Sequence, residues 1–311
     1  MSKPRRFHRD VDGILLLDKP FGISSNAALQ EVRELFGAKK AGHAGSLDPL
    51  ATGLLPVCFG QATKVCGRLL NAGKRYRVIV QLGARTESLD CETEVIERAA
   101  IPPLSEDFVD ATLASFLGEQ DQMPPMHSAL KHEGKRLYEL ARRGESVERA
   151  TRRITIGHIA RLSLTEDRLE FEANCSKGTY IRSLAADVAG KLGTLGYVAA
   201  LRRVGVDPFD AYPMHTMEEL KARRGDGLSK VLDSLLLGPD AAFADLGAAH
   251  LDGAGEQALL RGQAVEAAQA APGLSLRAYA ADGRFLGLVE AQTDGRIRPV
   301  RLFVGIDLPN P

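Results

Sequence analysis

Short apolar runs alternate with amphipathic helical segments through residues 13–206, and this alternation constrains the fold more than any other feature. Residues 13–17 form an apolar run that ends in a tight turn, which predicts a buried strand. Residues 26–36 carry apolar side chains at helical spacing, after two serines and before Gly37, which predicts a capped helix. The alternation favours an α+β domain built around a sizeable sheet. Further strands are predicted at residues 54–59, 75–82, 153–164, 169–175 and 194–206, and further helices at 62–70, 106–117 and 179–192.

A change in composition near residues 236–251, where Ala, Gly and Asp dominate, predicts a domain boundary. We therefore predict a catalytic-type domain over residues 1–245 and a small all-β domain over residues 246–311, with β runs at 274–280, 285–291 and 297–304. Pro124-Pro125 and the basic stretch after it interrupt the first domain. Residues 124–152 are expected to be a surface insertion.

Composition excludes several classes of protein. The chain has no run of about 18 apolar residues and no secretory signal pattern at its start, so a cytoplasmic location is expected. Its four cysteines form no metal-type or disulfide-type spacing and are expected to be ordinary buried thiols. Forty basic residues balance forty acidic ones, so any case for a nucleic-acid partner must come from local charge.

Local charge is uneven. Residues 131–153 contain eight basic and four acidic side chains, which makes them a candidate phosphate-facing patch. From residue 239 onward there are six arginines and nine acids, which does not favour a polyanion. Either imbalance is also compatible with a plain solvated surface.

The loop at residues 38–53 is long and rich in glycine, and loops of this kind inside a compact domain tend to be functional. Its Asp48 precedes Pro49, which biases the aspartate towards extended backbone and holds its side chain in a defined position. An isolated Asp-Pro pair most often initiates a turn. A preset carboxylate also suits nucleophilic or acid–base catalysis.

The longer string resembles a known family. Residues 42–55, GHAGSLDPLATGLL, look like the catalytic motif of TruB-type pseudouridine synthases. Four neighbouring strings resemble the family's other motifs in the same order, and the tail is similar to an RNA-binding PUA domain. These strings are LDKP at 17–20, GQATK at 60–64, KRY at 74–76 and SKGTYIRSL at 176–184.

The resemblance implies a central mixed, largely antiparallel sheet and an isomerase that works without a cofactor. It implies that the enzyme converts one uridine of the tRNA T-loop, at position 55 of the tRNA, to pseudouridine by flipping the base out of the RNA. The expected partner is the T-arm stem-loop of tRNA, with no obligatory protein partner and no membrane. The sequence does not determine the oligomeric state, and a monomer is the default expectation.

Asp48 is the expected nucleophile, because breaking a glycosidic bond needs a carboxylate at the anomeric carbon or at the base. The sequence does not decide between attack at C1′ and attack at C6. An ionised Asp48 needs a cation nearby, and Arg182 is the candidate. It lies in the first turn of a predicted helix, where the helix dipole disfavours a positive charge, so a partner of opposite charge elsewhere is expected. The strand pattern by itself predicts that Tyr76 is a half-buried core tyrosine. The resemblance makes it a stacking platform whose hydroxyl can also move a proton.

The remaining expected substrate-binding residues are implied by the resemblance. Tyr180 and Leu201 would complete the uridine pocket, and His43 would stack within the opened RNA loop. Lys19 and Lys64 would either contact phosphate or support the catalytic loop, and the sequence does not separate these roles. No third and fourth ligand accompanies His43 and Asp48, so no metal site is expected.

Three other functions stay open at this point. A non-catalytic RNA-binding or RNA-folding protein could keep the same scaffold, although the full set of Asp48, Tyr76 and Arg182 argues against it. A glycosidase would need a second acid near Asp48, and none is singled out. A relative that depends on a guide RNA would carry protein-binding extensions, and this chain has little beyond the two predicted domains.

Overall fold

The computed structural model describes residues 9–128, 130–132, 134–141, 143–145, 147–225, 229–266 and 271–305. Within these residues the chain forms a nine-stranded sheet, a five-stranded sheet and two short two-stranded hairpins. The strands are β1 (Gly13–Lys19), β2 (Ala41–His43), β3 (Thr52–Phe59), β4 (Lys74–Leu82), β5 (Ala84–Thr86), β6 (Val95–Arg98), β7 (Gly118–Gln122), β8 (Lys131–His132), β9 (Lys135–Arg136), β10 (Arg152–Leu164), β11 (Arg168–Cys175), β12 (Gly196–Val206), β13 (His215–Thr216), β14 (Ala248–His250), β15 (Val265–Glu266), β16 (Ser275–Tyr279), β17 (Phe285–Ala291) and β18 (Arg296–Leu302). The α-helices are α1 (Ser25–Phe36), α2 (Cys66–Asn71), α3 (Glu106–Ala114), α4 (Leu137–Ala141), α5 (Ile181–Lys191), α6 (Met217–Arg224) and α7 (Gly253–Leu260), and 3₁₀ helices span Gly60–Val65, Ser229–Leu235 and Pro239–Phe243.

The large sheet has the order β13-β1-β3-β12-β4-β11-β10-β7, and β2 pairs with the far end of β3. Only the pairs β1–β13 and β3–β12 are parallel in this sheet, so the expected mixed, largely antiparallel sheet is confirmed among the described residues. This order places β4 and β12 side by side in the middle of the sheet. Side chains that alternate along these two strands are therefore held in a fixed register.

Helix α1 forms where its caps predict it. The Ser24 hydroxyl accepts a hydrogen bond from the Ala27 N–H, and Gly37 adopts the left-handed conformation that ends the helix. The apolar face of α1, including Val32 and Phe36, is buried in one core with the apolar face of α5. Alternation along β1 places Leu15 and Leu17 in that core, while the residue before each of them faces a second core on the other side of the sheet.

The five-stranded sheet, in the order β14-β16-β17-β18-β15, makes the tail a β domain as predicted. It also contains α7, which sequence reasoning missed because the helix is short and starts with Gly253-Ala254-Gly255. Asp252 compensates by accepting a hydrogen bond from the Gly255 N–H. The predicted boundary near residue 245 falls between the 3₁₀ helix Pro239–Phe243 and β14, and the division into two domains stays a prediction.

Several local expectations differ from the structure. The helix predicted at 62–70 divides into a 3₁₀ turn followed by α2, and the loop predicted at 38–53 contains the short strand β2. The hairpin of β5 and β6 was missed because three- and four-residue strands carry too little periodicity. Of the cysteines expected to be buried, Cys91 is exposed. In the described part of the chain, no helix has the length and apolar character needed to cross a membrane.

Candidate active site

The loop that carries Asp48 connects β2 to β3 and is fixed by backbone contacts. The Ser25 hydroxyl accepts a hydrogen bond from the Leu47 N–H at 2.7 Å and lies 3.0 Å from the Leu47 carbonyl, to which it donates. Ala51 N–H donates to the Asp48 carbonyl at 3.0 Å, which closes a turn around Pro49. The carboxylate is therefore presented from a rigid backbone, as the Asp-Pro pair predicted.

Lys19 lies beneath this loop and is fully buried. Its ammonium donates to the carbonyls of Pro20 at 2.8 Å and Ile23 at 2.7 Å, and it lies 3.4 Å from the Pro49 carbonyl. Burial lowers the pKa of Lys19 to about 8, and the Asp48 carboxylate partly opposes this shift. With its donors turned towards three carbonyls, Lys19 is placed to support the loop and has no free face for phosphate in this arrangement.

Arg182 is the second residue of α5, and its guanidinium lies 3.1 Å from the Asp48 carboxylate. The pairing expected from the sequence is thus present. The side chain of Arg182 is 5% exposed, whereas that of Asp48 is 43% exposed. The guanidinium also donates to the carbonyls of Ser88 at 2.9 Å and His127 at 2.7 Å. Arg182 therefore reaches Asp48 from inside the protein and leaves the outer side of the carboxylate open.

A second carboxylate, Asp90, holds Arg182 from behind. Its side chain is fully buried and lies 3.0 Å from the Arg182 guanidinium. Its other oxygen accepts hydrogen bonds from the Ser88 hydroxyl and the Glu92 N–H. Sequence reasoning missed Asp90, because it sits in an irregular loop between β5 and β6 where no local pattern separates a buried acid from a turn residue.

The pKa of Asp48 is raised above its ordinary value. Burial is the main cause and Asp90 adds to it, while Arg182 and Lys19 act in the opposite direction. Arg182 lowers this pKa, as a paired cation is expected to, but its effect does not fully offset the burial of Asp48.

Tyr76 and Leu201 come from the two central strands and face the same side of the sheet. In the register of β4 and β12, Tyr76 lies opposite Arg203 and Val78 lies opposite Leu201. Tyr76 is 9% exposed and Leu201 is 7% exposed. Burial raises the pKa of the Tyr76 phenol, and Arg203 and its contact with the phenol act against the rise. Together the two side chains form an aromatic and aliphatic floor close to Asp48.

Arg203 is the other residue that sequence reasoning missed. It is 1% exposed, and its guanidinium donates to the carbonyls of Leu54 at 2.6 Å and Gly45 at 2.9 Å. It therefore ties both ends of the Asp48 loop to β12 and faces Tyr76 at the same time. Arg203 directly follows Leu201 and Arg202 on a predicted strand, where adjacent residues point to opposite faces of the sheet. One of the two adjacent arginines therefore had to face the side that Leu201 faces, which was a weak sequence signal for a buried arginine.

Gly53 shows how closely β3 and β12 approach here. A Cβ atom added to Gly53 would lie 2.2 Å from the Arg203 carbonyl oxygen, and the backbone has a φ of +97°. No L side chain fits such a position without a shift of the backbone. The glycine that ends the catalytic loop is thus required by packing against the strand that carries Arg203.

His43 and Tyr180 lie on elements that adjoin the Asp48 loop and Arg182 along the chain. His43 ends β2, and burial, with Arg203, lowers the pKa of its imidazole, so the ring is neutral near pH 7. Its Nδ1 atom is buried and has no hydrogen-bond partner among the described residues. Tyr180 caps α5, and the Gln122 side chain accepts from its N–H at 2.8 Å and donates to its carbonyl at 3.0 Å. Gln122 therefore sets the direction in which α5 presents Arg182.

Lys64 lies away from this group, where the two sheets meet. Its ammonium donates to the Leu302 carbonyl at 2.8 Å and lies 5.3 Å from the centre of the Phe303 ring. Arg301 returns a hydrogen bond to the Lys64 carbonyl. Phe303 belongs to the second core of the large sheet. The structure thus places Lys64 at the junction with the C-terminal sheet rather than beside Asp48.

The basic insertion is partly structured. It contains the β8–β9 hairpin and α4, and Leu137 and Leu140 of α4 are buried. Arg149 donates to the Pro124 carbonyl at 2.9 Å, which closes the insertion at its base. Residues 129, 133, 142 and 146, which include two charged members of the predicted patch, lie outside the described residues. Within the ranges that the structure describes, no group of three or more His, Cys, Asp or Glu side chains is arranged to hold a metal ion.

The site therefore combines a rigid, partly exposed carboxylate, an internal arginine and a buried aromatic floor. Such a set can attack or stabilise an electrophilic carbon beside a flat ring. Asp90 is fully buried behind Arg182, and Glu92 is a further carboxylate near Asp48, with a pKa that burial, Asp90 and Asp48 raise.

Comparison with known proteins agrees with this arrangement. The model of the TruB family pseudouridylate synthase N-terminal domain matches residues 33–181. The models of two C-terminal TruB domains match residues 182–244, for tRNA pseudouridylate synthase B, and 247–303, for pseudouridine synthase II TruB. A solved H/ACA ribonucleoprotein bound to a substrate RNA containing 2′-deoxyuridine has the same fold, with a TM-score of 0.72 and 20% identity over 98% of this chain and 92% of that one.

Two curated relatives are much closer in sequence. The tRNA pseudouridine synthase B of Stutzerimonas stutzeri (strain A1501) is 46% identical over 302 residues, which cover 97% of this chain and 99% of the relative. That of Nitrosococcus oceani is 46% identical over 303 residues, which cover 97% and 98%. The fold and the site thus define an RNA-modifying isomerase of the pseudouridine synthase class. Within that class the chain belongs to the TruB family, whose curated members are tRNA pseudouridine synthases, and its reaction is the isomerisation of a tRNA uridine.

Proposed function

We propose that this chain converts the uridine at position 55 of the tRNA T-loop to pseudouridine, with Asp48 as the nucleophile. The observation that carries the proposal is the ion pair of 3.1 Å between Asp48 and Arg182, which lies beside the Tyr76 and Leu201 floor. A carboxylate alone would suit many reactions. A carboxylate oriented by a buried arginine next to an aromatic face suits attack on a flipped nucleotide.

The uridine has to leave its stack to reach Asp48, because a folded RNA loop shields the atoms that react. Tyr76 then supplies a flat face for the base, and Leu201 and Tyr180 supply the surrounding apolar contacts. The neutral His43 stacks against the remaining RNA loop. A neutral ring suits this role better than a charged one, because it stacks without loss of hydration.

Asp48 attacks as the ionised carboxylate, either at C1′ of the ribose or at C6 of the base. Its raised pKa makes it a stronger nucleophile than a fully compensated carboxylate, and Arg182 keeps it oriented while charge moves off the oxygen. The Tyr76 phenol, with its raised pKa, stays protonated at neutral pH. It is therefore suited to stacking and to donating a hydrogen bond, and it can take up a proton only in concert with its transfer elsewhere.

The supporting residues have separate roles in this proposal. Arg203 holds both ends of the Asp48 loop, Lys19 supports the loop from beneath, and Lys64 holds the junction with the C-terminal β domain that follows the 1–245 catalytic domain. Phosphate contact falls mainly to the basic insertion at 124–152. The enzyme needs no metal, no cofactor and no protein partner for this reaction, and it works on the T-arm of tRNA in the cytoplasm.

The proposal is tested with the purified chain and a T-arm stem-loop RNA that carries 5-tritiated uridine. The unaltered protein is expected to release tritium in buffer that contains a chelator, because formation of the C–C bond displaces the hydrogen at C5. Asp48→Asn is expected to abolish release while RNA affinity stays within about threefold, since an amide fills the same space.

Asp110→Asn provides a matched control. Asp110 is also an aspartate paired with an arginine, at 2.8 Å from Arg161, and its side chain is 51% exposed, but it lies on the outer helix α3. Its variant should retain full activity. The proposal fails if the unaltered protein releases no tritium, or if Asp48→Asn releases it as fast as Asp110→Asn does.

A further inference from the structure

Phe21 is the most exposed large apolar side chain in the described part of the chain, at 67%. It occupies the turn between β1 and α1. Single exposed apolar residues are common on protein surfaces and need no explanation by themselves. What distinguishes Phe21 is where the turn lies and how firmly it is held.

The turn is bonded directly to the catalytic loop. The Gly22 N–H donates to the Pro49 carbonyl at 2.9 Å, so Phe21 is one residue away from a bond to the neighbour of Asp48. The Lys19 ammonium fixes the same turn from below through the Pro20 and Ile23 carbonyls. Because these contacts fix the backbone on both sides of Phe21, its ring is held at the rim of the site rather than on a mobile loop.

The rim around Phe21 carries no free negative charge from its own segment. Asp18 is paired with Arg202 at 2.6 Å, and residues 19–30 contain no Asp or Glu. A phosphate backbone can therefore approach the ring without repulsion from this turn. An aromatic face held on a rigid turn can stack an unpaired base of single-stranded RNA.

We propose that Phe21 is a second stacking platform, which takes an unstacked base of the same RNA loop beside the uridine held over Tyr76. This inference rests on the proposed function, since flipping one nucleotide leaves its neighbours without their stacking partners. Phe21 then recovers part of the stacking that base flipping removes. The recognised chemistry is the flat face of a base, so the contact does not depend strongly on which base it is.

The experiment compares Phe21→Ala, Phe21→Leu and Phe21→Trp with the unaltered enzyme, on a T-arm stem-loop with 2-aminopurine placed at each loop position in turn. In Phe21→Ala the KM and the dissociation constant for RNA should each rise roughly tenfold, while kcat stays within about twofold. Quenching of at least one 2-aminopurine position should weaken in the same variant. Phe21→Trp should retain both properties, and Phe21→Leu should resemble Phe21→Ala, because leucine is apolar but has no flat face.

Phe108→Ala is the matched control, because Phe108 is also an exposed phenylalanine, at 46%, and lies on α3. The inference is overturned if Phe21→Ala behaves like Phe108→Ala in affinity and in quenching. It is also overturned if Phe21→Leu matches Phe21→Trp, which would indicate apolar packing, or if kcat falls while KM is unchanged. Failure of the proposed function would show separately, as absence of tritium release from the unaltered enzyme.

Discussion

The chain of charges from Asp48 through Arg182 to Asp90 leads to a quantitative prediction about stability. Replacing Arg182 by Met removes the guanidinium that contacts two carboxylates and the carbonyls of Ser88 and His127. Asp90, which is fully buried, then keeps the Ser88 hydroxyl and the Glu92 N–H as donors. Removing one partner of a buried pair leaves an uncompensated charge, so the free energy of unfolding should fall by about 3–5 kcal/mol.

The companion change, Asp90→Asn, leaves Arg182 with Asp48 as its one carboxylate partner and should cost about 3 kcal/mol. When both changes are made together, no isolated buried charge remains. The double variant should therefore lose about 2 kcal/mol less than the sum of the two single losses. Activity should not return with stability, because Asp48 has still lost the arginine that orients it.

Urea unfolding at pH 7 measures the four free energies, provided that the slope against urea stays constant across the set. Asp18 and Arg202 offer a matched cycle at the rim, with side chains that are 20% and 40% exposed. Their coupling should stay below about 1 kcal/mol, because solvent screens the pair. If the Arg182 and Asp90 losses add within about 0.5 kcal/mol, the buried charges are not coupled and the reasoning is refuted.

Two further predictions concern the Asp48 loop. Because the folded protein raises the pKa of Asp48, this carboxyl contributes stability when it is protonated and loses that contribution as the pH rises through the raised pKa. Asp48→Asn should therefore be more stable than the unaltered protein at pH 7. The gain should be at most about 1 kcal/mol, because the Asp48 side chain is 43% exposed. Unfolding by urea at pH 7 and pH 4 checks this, and a gain that grew towards pH 4 would contradict it. Gly53→Ala should destabilise the protein by about 1–3 kcal/mol from the left-handed backbone alone and should lower tritium release, because the added Cβ meets the Arg203 carbonyl. Gly295→Ala is the control, because Gly295 has a φ of +79° but no atom lies within 4 Å of an added Cβ. It should lose stability through its backbone conformation and keep full activity. Equal losses of activity in both variants would contradict the packing argument.

The sequence predicted the positions of those strands and helices that are long and have a strong hydrophobic pattern. Helix α1 carries its stripe, its serine cap and its glycine end within 14 residues, and β4 alternates buried and exposed side chains over nine. Both were placed within a residue or two. Short elements such as β5 and β6 carry no such signal, because three or four residues cannot define a period.

The candidate site divides in the same way. Asp48, Tyr76 and Arg182 belong to local strings whose spacing and family resemblance single them out, so the sequence by itself indicated the residues to which we assign the chemistry. Asp90 and Arg203 belong to no such string. Asp90 meets Arg182 across 92 residues and Arg203 meets the Gly45 carbonyl across 158, so only the packing of distant segments brings them to the site.

The tertiary structure also decided how the chosen residues behave. The sequence indicated that Asp48 needs a cation, but the direction of its pKa depends on how deeply it is buried and on how many acids share that cation. It left two roles open for Lys19, and burial of the ammonium against three carbonyls favours support of the loop. Residue identity and spacing are local properties, whereas desolvation and charge sharing are set by every segment that packs around a group. The sequence therefore determined which residues are proposed to react, and the folded structure determined the direction of their pKa shifts, their orientation and their neighbours.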